Sequence, residues 1–108
     1  MEEFVYLEDI LGKNQEIPAD SILSLSLMQA PQARAIMFHF APGQELSEHT
    51  AAKPALLHFL SGNAEVTLGK ETRTAGPNTL IYMQPHLPHS IVAKTPVSML
   101  LIMIETGK

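Results

Sequence analysis

The chain contains no cysteine, which excludes disulfide frameworks and thiolate metal sites together. A metal ion here has only imidazole, carboxylate, amide or water to hold it. Long apolar runs are also missing. The longest, VSMLLIMI at 97–104, is too short to cross a bilayer. The opening residues MEEFVYLEDI are acidic and lack the basic n-region of a signal peptide, so a cytoplasmic protein with no membrane partner is expected. Basic residues are few and scattered (Lys13, Arg34, Lys53, Lys70, Arg73, Lys94, Lys108), and the net charge is -4. No basic stripe follows a phosphate backbone, which argues against nucleic acid as a partner.

What is present is a globular balance, with 45% hydrophobic and 17% charged residues over 108 positions. That length suits one domain with one core. Eight prolines and six glycines cut the chain into segments too short for most helices. Strands are expected over 21–29, where serine alternates with leucine, and over 33–40, 55–62, 64–69, 79–85, 89–94 and 98–105, by period-two patterning and turn signals. Residues 55–62 and 64–69 read as a hairpin closed at Ser61-Gly62-Asn63. Only FVYLEDIL near the start leaves a helix open. The fold class is therefore all-β, a sandwich or barrel. The last strand is apolar on both faces, so its outer face needs a cover, and a homodimer is the simplest one. Residues 1–19 read as an N-terminal segment contributing to the barrel edge or dimer interface, and 20–108 as the barrel.

Five histidines carry most of the chemistry: His39, His49, His58, His86 and His89. A lone histidine in an apolar strand is more often a hydrogen-bonded core or interface residue than a ligand. His49 follows the polar turn PGQELSE, and His89 follows the proline-bounded turn PHLP. Both stand at strand mouths, where neutral ring nitrogens from strands distant in sequence can converge on one ion. His58 faces outward by parity if residues 55, 57 and 59 face inward; a bulge would turn it in and make it a third ligand. His86, three residues before His89, lines a pocket mouth or faces water, and His39 reads as structural. No serine, histidine and aspartate set has a nucleophile-elbow context.

The run from Gly43 to His89 resembles the two-motif signature of small single-domain cupins, the RmlC-like conserved barrel family. That family's first motif is a glycine, five residues, a histidine, one residue, a second histidine, a short gap, a glutamate, six residues and a glycine. GQELSEHTAAKPALLHFLSG supplies Gly43, His49 and Gly62. The second histidine falls on Ala51 and the glutamate on Ala55. The second motif is matched by Gly76, Pro85, Pro88 and His89 in GPNTLIYMQPHLPHS.

The resemblance implies a double-stranded β-helix, the jelly-roll barrel of cupins, with a pocket at one end and dimeric assembly. Relatives with full ligand sets bind Fe, Mn, Ni, Zn or Cu and include oxygenases and isomerases, whereas others bind small molecules without a metal. Here the expected metal ligands are His49, His89 and His58, with His86, Gln84 and Glu48 as further options for a third. The expected pocket walls are Ala51, Ala55, Leu57, Phe59, Tyr82, Met83 and His86. Two readings stand side by side: a module binding a divalent transition metal or a small organic molecule, and a metal-dependent oxygenase or isomerase. The missing acid inside the signature favours the binding module.

Overall fold

The structure, a computed structural model, describes residues 3–12 and 16–105. The remaining residues of the N-terminal segment and of the barrel as divided above lie outside the described residues. The described chain folds into nine strands: β1 (Ile22–Gln29), β2 (Ala33–Phe40), β3 (Glu45–His49), β4 (Ala55–Ser61), β5 (Ala64–Leu68), β6 (Glu71–Ala75), β7 (Thr79–Met83), β8 (His89–Ala93) and β9 (Val97–Ile104). They form two antiparallel sheets, a five-stranded one ordered β1-β2-β9-β4-β7 and a four-stranded one ordered β3-β8-β5-β6. This is the all-β jelly-roll barrel expected from the resemblance. FVYLEDIL is not helical; it runs as bends and irregular chain. No helix of the described residues is long and apolar enough to cross a membrane.

Alternation decides which residues meet inside. In β4, Ala55, Leu57 and Phe59 are buried while Leu56, His58 and Leu60 are half-buried on the other face. The inner residues join Phe40, Val66, Ile91, Val97 and Met99 in one core between the sheets. Burying each of these side chains contributes about 1.5–3 kcal/mol, and the large ones fill the barrel away from its open end.

The expected hairpin over 55–69 does not form. Strand β4 pairs with β7 and β9, whereas β5 pairs with β6 and β8, so the chain crosses between sheets at Gly62. A register shift between Phe59 and Ser61 bends the end of β4. Gly62 then takes a φ of +85° against the backbone of Pro96, a conformation and a closeness that a side chain would forbid.

Two strands went unanticipated. The stretch expected as a polar turn before His49 is strand β3, with His49 as its last residue, and Glu45, Ser47 and Glu48 on it are exposed. Strand β6, ETRTA, is exposed for its first four residues. Beside the β1–β2 turn, Glu3, Phe4 and Val5 share a groove with Met28 and Pro31.

Candidate functional site

Strands β3 and β8 are neighbours in the four-stranded sheet, and His49 and His89 are paired directly across their ladder. Directly opposed residues project on the same face, which brings the rings to a centroid distance of 4.3 Å at 57° to one another. Each ring is fixed the same way. Nδ1 of His49 lies 2.9 Å from the carbonyl oxygen of Ser47, and Nδ1 of His89 lies 2.9 Å from that of Leu87. A carbonyl oxygen only accepts, so both Nδ1 atoms carry the proton and donate. Each neutral imidazole then keeps its lone pair on Nε2.

The two imidazoles border a cavity of about 250 Å³ at the open end of the barrel. Its floor and walls are apolar: Ala51, Ala55, Met83, Leu87, Leu101 and Met103. Besides the histidines, its polar groups are Gln84 and Lys53. Lys53 pairs with Glu105 at 2.7 Å, and both side chains are about one-third exposed at 31%, so the pair adds little to stability.

The rim is held by backbone. The amide of His86 donates to the carbonyl of Ala51 at 2.7 Å, tying the turn before β8 to the loop before β4. His86 adopts a φ of +69°, unusual for a side-chain-bearing residue. The amide of Ile104 donates to Pro54 at 3.0 Å, joining the same loop to β9.

Of the expected site residues, His49, His89, Ala51, Ala55 and Met83 come together around the cavity, as does Gln84. The others do not. Leu57 and Phe59 point inward but lie deeper, in the closed core, so they are not pocket walls. Tyr82 is opposite Leu56 on the outer face of the sheet and 58% exposed, one residue out of phase with Met83. The His86 side chain is exposed and contributes only its backbone to the rim. His58 stands opposite Leu80 and Leu100, on the face of β4 turned away from the cavity. Alternation holds through residue 59, so His58 is not the third ligand. Glu48 is exposed and does not line the cavity either.

Sequence reasoning missed Lys53, Leu87, Leu101 and Met103. The last two face Leu57 and Ala55 across the β9–β4 ladder. Their strand is apolar on both sides, so alternation gave no signal. Lys53 sits in a loop, where pattern says nothing.

The donor set bears directly on a metal. Two imidazoles with exposed lone pairs are half of a tetrahedral shell, and structural or catalytic zinc takes at least three protein ligands. Among the described residues no group of three or more His, Cys, Asp or Glu could hold an ion. The side chains present do not fit a resident metal held by the protein alone.

Residues 36–105 match the family of cupin domains. The chain is a member of the cupin family. Among solved structures, this cupin is similar to a conserved protein of unknown function from Streptococcus pyogenes, with 27% identity over 99% of this chain and 93% of that one and a TM-score of 0.82. It is similar as well to a cupin superfamily protein from Desulfitobacterium hafniense, 26% identical over 84% of each chain with a TM-score of 0.79. A salicylate 1,2-dioxygenase from Pseudaminobacter salicylatoxidans shares the fold at 14% identity, over 81% of this cupin and 27% of the larger chain, with a TM-score of 0.75. Among curated proteins no sequence matches this cupin.

Proposed function

We propose that this cupin binds a small organic molecule in the barrel-mouth cavity, without turning it over. The observation that carries this reading is the locked histidine pair: both Nδ1 atoms are committed to backbone carbonyls, so both Nε2 atoms remain for a ligand. A compact apolar cavity with a few fixed polar groups is the usual form of a small-ligand site. Its volume of about 250 Å³ corresponds to roughly eight water molecules at about 30 Å³ each, which limits the ligand to a compact molecule. Alanine at both 51 and 55 makes that space.

The second reading, a metal-dependent oxygenase or isomerase, rests on the same two lone pairs. It needs a third protein ligand, and among the described residues the cavity offers no further His, Asp or Glu, only the neutral amide of Gln84. Native mass spectrometry of the untagged protein, with elemental analysis of the same sample, separates the two. The binding reading expects a co-purified or added small molecule on the wild type, lost in His49→Ala and His89→Ala, and metal far below one ion per chain. Near-stoichiometric metal that both variants lose would replace it with the metal-centred reading.

The same proposal includes a homodimer formed through the outer face of the five-stranded sheet. Leu80 is 64% and Tyr82 is 58% exposed there, next to half-buried Leu56, His58, Leu100 and Ile102. A contiguous apolar face of this kind suits a protein interface. Light scattering on the wild type and on Leu80→Glu tests it: the wild type should have twice the mass of the variant.

A further inference from the structure

The polar groups around the cavity are unequal in charge. Among the residues that line it there is no aspartate or glutamate, and Lys53 is its one permanently charged side chain. A second cation does not line the cavity but stands in a row of the sheet that does. Met83, Ala55 and Met103 stand directly opposite one another on β7, β4 and β9, and the next residue in that row, on β2, is Arg34. All share the inward face, because directly paired residues project together. Neighbouring strands lie about 4.8 Å apart, so Arg34 starts one strand beyond the cavity wall formed by Met103. Its Nε is buried and has no hydrogen-bond partner among the described residues. A buried guanidinium nitrogen without a partner is costly, and an acceptor arriving with a ligand removes that cost. Glu105 is committed to Lys53, and Arg34, one strand behind the cavity wall, has no carboxylate partner among the described residues.

The opposite wall asks for something else. In the tautomer that the Nδ1 bonds fix, the Nε2 lone pairs of His49 and His89 accept from a hydroxyl or N–H group.

Resting on the small-ligand reading above, we propose that the ligand is a small organic hydroxy acid. Its carboxylate lies toward Lys53 and Arg34, and its hydroxyl donates to the histidine pair across an apolar body. The methionine, leucine and alanine walls bury that body.

Isothermal titration of the metal-free wild-type protein against lactate, mandelate, hydroxyisovalerate and hydroxybenzoate, each beside its primary amide and its deoxy counterpart, tests the assignment. The acid should bind at least about tenfold more tightly than its amide, the gain expected of a charge-assisted hydrogen bond, and more tightly than the deoxy acid. Lys53→Met should bring acid and amide within about twofold of each other, while Lys53→Arg keeps the preference. Arg34→Gln should narrow it.

An amide that binds as well as its acid in the wild type would overturn the anion assignment and leave the small-ligand reading standing. A deoxy acid that binds as well as the hydroxy acid would overturn the role given to the histidines. Failure of every compound, acid, amide and deoxy acid alike, would remove both the assignment and the reading beneath it.

Discussion

Gly62 and Pro96 are in backbone contact: a β-carbon on Gly62 would overlap the Pro96 carbonyl oxygen and lie 2.9 Å from both the Pro96 carbonyl carbon and the Cα of Val97. The contact falls where the chain leaves one sheet for the other, and neither partner is a flexible side chain that can move aside. Gly62→Ala is therefore expected to cost on the order of 3 kcal/mol or more, from overlap combined with a left-handed backbone. Urea unfolding measures it. At Gly43, also at positive φ, an added β-carbon meets nothing within 4 Å, so Gly43→Ala should cost only about 1–2 kcal/mol.

The two family ligand positions that hold alanine both line the cavity beside the histidine pair. Restoring the family residues should therefore create a metal centre. The double variant Ala51→His, Ala55→Glu is expected to take up one Zn, Mn or Ni ion per chain by elemental analysis, with a rise in melting temperature on metal addition, because a ligand bound only by the folded state stabilises it. The wild type should show neither.

His39 is only 5% exposed and lies 2.8 Å from the hydroxyl of Ser98. Burial lowers its pKa from the ordinary 6.5, because desolvation disfavours the imidazolium. The unfolded chain then binds this proton more readily than the folded one, so stability is full above about pH 6.5. It falls as the pH drops from there toward the folded value, and levels off below it. Denaturation across that range should show a steeper loss for wild type than for His39→Gln, which keeps a polar partner for Ser98 and does not titrate.

At His86 the backbone does the work, through its amide bond to Ala51 and a φ of +69°. His86→Gly should leave ligand binding unchanged and shift stability by no more than about 1 kcal/mol, since relief of strain offsets lost chain stiffness. His86→Pro removes the donor and imposes a negative φ. It should loosen the rim and weaken binding at least several-fold in the same titration.

Strands with a buried face were legible in the sequence because alternation encodes them. β2 (Ala33–Phe40) coincides with the stretch read from pattern, and β4 and β8 differ from it by a residue at one end. Strands β3 and β6 were illegible because polar and charged residues dominate both, and such a strand is written in the alphabet of loops. The 55–69 hairpin failed for a different reason. Ser-Gly-Asn serves a tight turn and a corner between sheets equally well locally, and only the partner strands decide. At the site, parity gave the outward direction of His58, but Tyr82 was read as a pocket wall beside Met83, although adjacent strand residues face opposite sides. Lys53 and Arg34 became visible only when the loop and the cross-strand row were in place.

The cross-sheet placement of the cavity walls has an evolutionary consequence. The histidines belong to one ladder of the four-stranded sheet, while Ala55, Met83, Leu101 and Met103 belong to the five-stranded sheet. Each jaw is braced by its own hydrogen bonds, so residues on one can be exchanged without disturbing the aim of the other. A lineage can drift from ion chelation to organic recognition and back by altering Ala55 on the second jaw and Ala51 in the loop that leads to it, with the histidine ladder untouched.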